Sequence, residues 1–340
     1  MTPAPARTFT DSKAIRARTP LIIGLCGPSS SGKTMSALEL ASGIRRVVGG
    51  ETYFIDTEAG RALAYADHYD FRHVPFGAPF GPLEYLAAIE HCVKRGATTV
   101  VIDSMSHEHE GPGGVLEMHE AEVKRKAGDD VDKAERVNLG AWAKPKAERQ
   151  RLINTMVQLP CNVIICFRAK EKLKIVPGQQ PIDLGWQAIA GDEFQYECAL
   201  SCLLYPCSDG VPTWKPTKPG EKALVKLPRQ FRELFDKAPR LSADVGEQLA
   251  RWAAGAAVMS VSQLLEEYPK CSTTEARRAL VKSVTLALRT ATPEERAALK
   301  AADDAALARI AATPATPPAE PPKPPSPTGP CNDDGSVPGM

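Results

Sequence analysis

The chain has 340 residues, a formal net charge of +1 and 43% hydrophobic residues. This length accommodates one large α/β domain with a smaller unit, and the hydrophobic content is sufficient for a buried core. The near-neutral charge excludes an overall basic nucleic-acid binder, so any DNA or RNA site must be local. No apolar run reaches the roughly 20 residues of a membrane span. The N-terminus lacks the apolar core of a signal peptide, which predicts a cytoplasmic protein.

The first motif follows a basic, Pro/Ala-rich arm, residues 1–19, whose composition predicts a flexible segment. Residues 21–26 form an apolar run that is typical of a buried parallel strand. A glycine-bracketed loop with the pattern G-x-x-x-x-G-K-T comes next, followed by apolar residues at helical spacing. The loop consists of Gly27, Pro28, Ser29, Ser30, Ser31, Gly32, Lys33 and Thr34. This order of strand, loop and helix predicts a phosphate-binding loop.

Such a loop holds a triphosphate because its backbone N–H groups turn inward at the positive end of a helix. Lys33 is expected to reach the β- and γ-phosphates, and the Thr34 hydroxyl is expected to bind Mg²⁺. ATP and Mg²⁺ are therefore the expected cofactors. GTP is disfavoured because the chain contains no Asn-Lys-x-Asp motif for reading guanine.

Acidic residues follow the second and third predicted strands. Asp103 ends an apolar strand, where its carboxylate is expected to hold Mg²⁺ together with Thr34. Hydrolysis also needs a group that orients or deprotonates water. Asp103 is followed by Ser104 rather than by a glutamate, so this group must come from elsewhere. Glu58 is the candidate, and Asp56 is its nearest competitor.

Strand and helix patterns alternate from residue 21 onward, which predicts an α/β fold with a mostly parallel sheet between helices. The predicted strands are 21–26, 52–55, 98–102, 161–167 and 199–205, with short strands near 213–215 and 223–225, and a helix is predicted at 82–94. Together with the phosphate-binding loop, this pattern is that of a P-loop NTPase. The predicted ATPase domain is 20–238.

The remainder is predicted to be a helical C-terminal region, 239–312, and a disordered tail, 313–340. Three capping boxes support the helices, and the tail has ten prolines in its 28 positions. The boxes are Ser260 with Gln263, Ser272 with Glu275, and Thr292 with Glu295.

Residues 168–192 show no clear period and are predicted to be a long functional loop. Cations for phosphates, with an aromatic or amide group for bases, are what binding of a single nucleic-acid strand requires. The candidate DNA contacts in this segment are Lys172, Lys174, Gln179 and Trp186. The alternative is a solvated, charged surface.

Residues 54–58, F-I-D-T-E, resemble the segment that carries the catalytic glutamate in RecA-type recombinases. The wider pattern resembles the phage nucleotide-binding AAA-domain family with a RecA-like core, which includes single-strand annealing ATPases of the Sak type. The matching segments are D-T-E-A-G-R at 56–61, V-I-D-S-M-S-H-E-H-E-G at 101–111, G-G-V-L at 113–116, A-W-A-K at 141–144, C-N-V-I at 161–164 and F-R-A-K at 167–170.

The resemblance covers roughly residues 20–235 and implies a RecA-like ATPase that acts with single-stranded DNA in recombination or annealing. It also implies a phage or prophage origin in a bacterial host cell, and phage recombination or single-strand-binding proteins as partners. By the same resemblance, Arg168 and Lys170 are sensor or finger residues that report hydrolysis or reach into a neighbouring site. If they act on a neighbour, the nucleotide lies between subunits and the protein is a homo-oligomer.

Two other classes of protein remain open on the sequence. A small-molecule kinase uses the same loop but needs an acceptor pocket and a lid, and a nucleotide-gated interaction protein uses slow hydrolysis as a timer. The histidine-rich segment 107–119 has weak spacing for a metal site. We interpret it as a polar loop beside the Mg²⁺ and the γ-phosphate. Trp142 is interpreted as a packing anchor rather than a platform for bases.

Overall fold

The structure is a computed structural model. It describes residue 11 and residues 18–178, 180–237, 240–255, 261–274, 276–278, 280, 284, 288 and 291–312. Most of the predicted basic arm, Gln179 and the predicted disordered tail therefore lie outside the described residues. The chain divides into two compact units, residues 1–256 and residues 257–340.

The first unit contains a sheet with helices on both faces. Its strands are β1 (Ile22–Gly27), β2 (Glu51–Asp56), β3 (Arg72–Pro75), β4 (Ala97–Asp103), β5 (Asn162–Lys174), β6 (Ile182–Ala188) and β7 (Leu200–Leu203). Its helices are α1 (Lys33–Val48), α2 (Pro82–Lys94), α3 (Ser106–Glu110), α4 (Val115–Ala127), α5 (Val131–Ala141), α6 (Ala143–Val157), α7 (Glu193–Glu197), α8 (Arg232–Lys237) and α9 (Ala243–Ala253). Short 3₁₀ turns occur at Arg61–Tyr65, Glu221–Leu224 and Arg229–Phe231.

The strand order is β3-β2-β4-β5-β1-β7, and each neighbouring pair along this path is parallel. The α/β fold predicted from the sequence is therefore confirmed. Hydrophobic clusters lie on both faces of the sheet, which explains why β1 and β4 read as continuous apolar runs. Because the strands are parallel, the carboxyl ends of β1, β2, β4 and β5 meet at one edge. Ligands bind at this edge in open α/β sheets.

The prediction of an irregular loop at 168–192 was wrong over much of its length. β5 continues beyond the parallel sheet to Lys174 and pairs with β6 in an antiparallel hairpin, with Ala169 opposite Ala188 and Lys174 opposite Ile182. We call residues 169–188 the hairpin. Strands are usually recognised in a sequence by alternating apolar and polar residues. The outer part of the hairpin is exposed on both sides, so its sequence lacks this alternation.

Two smaller differences concern the edges of the sheet. β3 was not predicted, because two of its four residues are exposed, the other two are only partly buried, and the strand carries little apolar signal. The short strands expected near 213–215 and 223–225 are replaced by isolated bridges, Leu203 with Thr213 and Ser201 with Lys226, and by the 3₁₀ turn Glu221–Leu224.

The first unit ends later than the predicted boundary at 238 because α9 packs against α1. Ser242 caps α9 by accepting a hydrogen bond from the backbone N–H of Val245 at 3.4 Å. The two helices approach each other at glycines. A Cβ on Gly43 would overlap the Ala243 carbonyl oxygen, and a Cβ on Gly246 would overlap the Leu40 carbonyl oxygen. The absence of side chains at these positions is therefore what allows this close contact.

The second unit contains α10 (Val261–Glu267), a 3₁₀ turn at Tyr268–Lys270, and α11 (Pro293–Ala312). The predicted capping box at the start of α11 is formed. Thr292 Oγ1 accepts from the Glu295 N–H at 3.2 Å, and the Glu295 carboxylate accepts from the Thr292 N–H at 2.8 Å. Ser260 and Glu275, from the other two boxes, lie outside the described residues. No helix in the described ranges is long and apolar enough to cross a membrane.

We expect Gly43→Ala to lower the free energy of unfolding by roughly 1–3 kcal/mol, because the new methyl group overlaps rigid backbone of α9. The matched control is Gly140→Ala in α5, where a Cβ has no atom within 4 Å. This change should raise the free energy of unfolding by roughly 0.5–1 kcal/mol through helix propensity. Denaturant unfolding measures both, and equal effects would contradict the close helix contact.

Candidate nucleotide site

The predicted phosphate-binding loop joins β1 to α1. Gly32 has a φ of 85°, in the left-handed region that favours glycine. A Cβ on Gly27 would lie 2.5 Å from both the Leu204 carbonyl oxygen and Ser31 Oγ. The two bracketing glycines are therefore required by the shape of the loop. Lys33 and Thr34 are the first two residues of α1, so they sit at the positive end of its dipole.

The loop is closed on itself by two hydrogen bonds to one carbonyl group. Lys33 Nζ donates to the Pro28 carbonyl oxygen at 2.6 Å, and Ser31 Oγ donates to the same oxygen at 2.9 Å. A phosphate oxygen is a charged and stronger acceptor for an ammonium group than this carbonyl oxygen. The Lys33 side chain is thus held beside the place where phosphates bind at a helix N-terminus.

Thr34 and Asp103 are brought together from α1 and β4. Thr34 Oγ1 donates to Asp103 Oδ2 at 2.5 Å. Burial raises the pKa of the Asp103 carboxyl group, while this hydrogen bond and the charge of Lys33 lower it to a smaller extent. A hydroxyl and a buried carboxylate are hard oxygen donors that fit Mg²⁺. These two residues would hold the ion, which would neutralise phosphate charge.

Asp56 has its oxygens engaged in holding the turn that follows β2. Asp56 Oδ1 accepts from the Glu58 N–H at 2.7 Å, and Oδ2 accepts from the Ala62 N–H at 3.1 Å. His73 Nε2 lies 3.1 Å from the same Oδ2. Asp56 thus positions the backbone of Glu58, and the two candidate acids have different surroundings.

Glu58 is held by two arginines of its own chain. Its Oε1 accepts from Arg168 Nε at 2.8 Å and Nη2 at 2.5 Å, and its Oε2 accepts from Arg61 Nη1 at 2.8 Å. The Glu58 side chain is 13% exposed and that of Arg168 38%. Arg168 therefore contacts the candidate catalytic glutamate directly. Lys170 does not reach this cluster: its side chain is 63% exposed, and Nζ lies 3.9 Å from Glu110.

These groups line one open cleft of about 560 Å³. Its lining comprises residues 29–34, Phe54, Asp56, Glu58, Arg61, Ala62, Tyr65, Asp103, Glu110, Arg168, Ala169 and Ile189. The sequence interpretation did not single out Arg61. Ala59 and Gly60, which lie between Glu58 and Arg61, have positive φ, so the turn brings Arg61 back to Glu58 without helical spacing, and no periodic signal in the sequence marks the pair.

The histidine-rich segment has separate partners rather than a common centre. His107 Nδ1 lies 2.8 Å from Thr57 Oγ1, and burial together with the charge of Arg168 lowers its pKa. His119 stacks on Trp142 with ring centroids 4.0 Å apart. Across the described ranges, His, Cys, Asp and Glu side chains do not group in threes suited to a metal ion.

Glu108 of α3 is buried and forms a bidentate ion pair with Arg149 of α6. Arg149 Nε and Nη2 each donate to the Glu108 carboxylate at 2.9 Å. Nη2 also donates to His109 Nδ1 at 2.9 Å. Burial and the neighbouring arginine charge lower the pKa of His109. This cluster fixes the segment that follows Asp103 against α6.

The candidate DNA contacts are distributed unevenly on the hairpin. Lys172 and Lys174 are exposed, and side-chain alternation places Lys172 on the same face as Lys170. The pairing with β6 shifts register between Lys172 and Leu173, before Lys174. Trp186 is half-buried and packs against the core. Its backbone N–H donates to the buried Glu221 at 3.1 Å. Trp186 therefore anchors the base of the hairpin, and Gln179 lies outside the described residues.

We expect Asp103→Asn to raise the Tm of the ligand-free protein at pH 7. A carboxyl group whose pKa is raised on folding stabilises the fold when protonated, and this contribution is lost as the pH rises through the folded-state pKa. A neutral amide avoids that loss of stability. Each 1 kcal/mol gained in the free energy of unfolding raises the Tm by about 2–4 °C in a domain of this size. The gain should shrink as the pH is lowered in thermal melts.

The contrasting variant is Asp56→Asn, whose amide nitrogen cannot accept from the N–H groups of Glu58 and Ala62. Leaving one such buried donor without a partner costs roughly 1–3 kcal/mol, so the Tm should fall. A rise in Tm with this variant, or a fall with Asp103→Asn, would contradict the roles assigned to the two carboxylates.

Comparison with known proteins identifies the family of this chain. A family model described as an AAA domain matches residues 19–200, which is more than half of the chain and includes β1, the phosphate-binding loop, Asp103 and the hairpin. A search of curated proteins found no similar sequence. Because the match spans most of the parallel sheet and the nucleotide cleft, the chain belongs to the AAA domain family, whose members bind nucleotides on a P-loop NTPase fold.

Proposed function

We propose that this protein is a Mg²⁺-dependent ATPase that couples nucleotide binding and hydrolysis to the binding of single-stranded DNA. The observation that carries the proposal is the path of β5. This strand runs beside β1 as far as Arg168, which contacts Glu58 in the cleft, and continues directly into the hairpin. One continuous strand thus connects the nucleotide site with an exposed face of lysines.

Binding of the phosphates, binding of Mg²⁺ and activation of water can each be assigned to side chains of the cleft. Lys33 and the loop N–H groups hold the phosphates, and Thr34 with Asp103 holds Mg²⁺. Glu58 activates the attacking water, because it lies in the same cleft and its carboxylate is less engaged with backbone than that of Asp56. Phosphoryl transfer depends mainly on positioning and on charge stabilisation, which these groups supply.

The hairpin offers cations and exposed apolar side chains to an unpaired nucleic-acid strand. Lys170, Lys172 and Lys174 are exposed cations on one strand of the hairpin, suited to a phosphate backbone. Near the tip, Ile175 and Ile182 are exposed apolar side chains that can contact bases. The base of the hairpin is fixed, because Glu221 accepts hydrogen bonds from the Trp186 N–H at 3.1 Å and from the Tyr205 hydroxyl at 2.6 Å. The hairpin is thus tied to the rest of the sheet at its base.

Coupling in this arrangement is reciprocal, since a change in DNA affinity caused by ATP requires an equal change in ATP affinity caused by DNA. The resemblance to recombination and annealing ATPases supports a role in those processes and an assembly of several subunits. Arg168 contacts Glu58 of its own chain, which supports a role in cis. Lys170 is exposed and is the remaining candidate to reach a neighbouring subunit.

Lys33→Ala should lower ATP turnover by about 10²-fold or more, because one preorganised cation for the transferred phosphate is lost. Glu58→Gln should lower kcat by about 10²–10⁴-fold without loss of ATP binding, as expected for a general base. Steady-state phosphate release and equilibrium binding of a non-hydrolysable ATP analogue measure the two effects. If Asp56→Asn in a folded protein has this effect and Glu58→Gln does not, the roles are reversed.

Replacing both Lys172 and Lys174 with Ala should weaken single-stranded DNA binding and reduce the slope of log affinity against log salt by about 1.4, which is about 0.7 for each lost phosphate contact. Basal ATP hydrolysis without DNA should stay unchanged. A matched control replaces Lys124 and Lys133, which are exposed on α4 and α5, and should leave the slope unaltered.

The proposal as a whole is tested by the ATPase rate of the wild-type protein with and without single-stranded DNA. Stimulation by DNA, and tighter DNA binding with the ATP analogue, are the expected results. Transfer of phosphate to a small acceptor instead of water would support a kinase. Hydrolysis that does not respond to DNA would support a nucleotide-gated interaction protein.

A further inference from the structure

The hydrogen bonds on Glu58 leave its carboxylate unsuited to act as a base. Three guanidinium N–H groups donate to it, two from Arg168 and one from Arg61. A general base must accept a proton from water within hydrogen-bond reach. While both arginines stay in place, their N–H groups occupy three of the roughly four lone-pair positions at which the carboxylate could accept from water. Glu58 is thus held in an inactive contact.

The two arginines both line the cleft, but different elements carry them. Arg168 ends the part of β5 that pairs with β1, and its backbone is in register with Gly27, the first residue of the loop. Arg61 lies on the turn that follows β2, and β4 and β5 separate β2 from β1. Arg168 is therefore the guanidinium placed to reach a bound triphosphate, and Arg61 is placed to stay with Glu58.

The charges in the cleft explain why Arg168 has Glu58 as its partner in this state. Four carboxylates line the cleft, those of Asp56, Glu58, Asp103 and Glu110, against the cations Lys33, Arg61 and Arg168. These carboxylates repel one another, and the Arg168 guanidinium on Glu58 offsets one of their charges. A triphosphate brings several negative charges, and its oxygens compete for the same bidentate donor.

We propose that Arg168 is exchanged between Glu58 and the terminal phosphate of ATP, so that binding of the substrate releases the glutamate for water activation. Arg61 remains on Glu58 Oε2 and acts as a positioning residue that keeps the carboxylate in the cleft. The inference rests on the proposed ATPase function and adds to it a gate operated by the γ-phosphate. ADP, which lacks that group, leaves Arg168 on Glu58.

The test is a double-mutant cycle on nucleotide affinity, measured by calorimetry with Mg²⁺ and a non-hydrolysable ATP analogue or ADP. Glu58→Gln should tighten binding of the ATP analogue by about fivefold or more, because Arg168 no longer leaves a charged partner. The same change should leave the affinity for ADP within about twofold of the wild-type value. A difference of that size is about the limit that such a cycle resolves. In an Arg168→Ala background, Glu58→Gln should no longer improve binding of the ATP analogue.

Arg61→Ala provides the matched control, because Arg61 donates to the same carboxylate. In that background, the gain in analogue affinity from Glu58→Gln should persist. Arg61→Ala should also lower kcat while leaving the affinity for the ATP analogue unchanged, since it positions Glu58 and does not hold the phosphate. Far-ultraviolet circular dichroism and Tm establish that each variant is folded, and Arg168→Gln replaces Arg168→Ala if the latter unfolds.

Two results would overturn the gate. One is an equal gain for ADP and for the ATP analogue, which indicates simple removal of a negative charge. The other is an undiminished gain in the Arg168→Ala background. Neither result affects the proposed ATPase, which fails separately if the wild-type protein neither binds nor hydrolyses ATP.

Discussion

The parallel register of β1, β2, β4 and β5 is the constraint on which the rest of the structure depends. It aligns Gly27 with Arg168, Asp56 with Asp103, and Asp103 with Cys166. Side chains from four separate parts of the chain therefore meet at one edge of the sheet. A slip of one residue in any of these pairings would turn alternate side chains to the opposite face. The buried apolar clusters on both faces of the sheet oppose such a slip.

That register brings several carboxylates together at one edge of the sheet, and each of them has a different kind of hydrogen-bond partner. Asp56 receives backbone N–H groups, Asp103 receives the Thr34 hydroxyl, and Glu58 receives two guanidinium groups. Glu108 is buried behind them and is paired with Arg149. Burying a carboxylate is costly unless it is paired or hydrogen-bonded, so these partners are required before any nucleotide arrives. Arg168 is the partner that the proposed gate exchanges for a phosphate of the nucleotide.

The hairpin extends this edge into solvent without a break in the chain. Its base is tied to the sheet through Glu221, while its outer residues are exposed. Gly185 makes the tie possible: its φ of 71° is left-handed, and a Cβ there would overlap the Glu221 carboxylate. The hairpin therefore has a tied base, exposed lysines and a strand in common with the cleft.

The sequence by itself determined the phosphate-binding loop, the alternation of strands and helices that makes a parallel sheet, and Asp103 and Glu58 as candidate site residues. Each of these follows from a local pattern, such as glycine spacing or an acid at the end of an apolar run. The tertiary structure decided which residues those acids contact. Glu58 and Arg168 are 110 positions apart, and no periodicity connects them. It also decided that residues 169–188 form a hairpin and that α9 belongs with the first unit, because strand pairing and helix packing depend on partners distant in the chain.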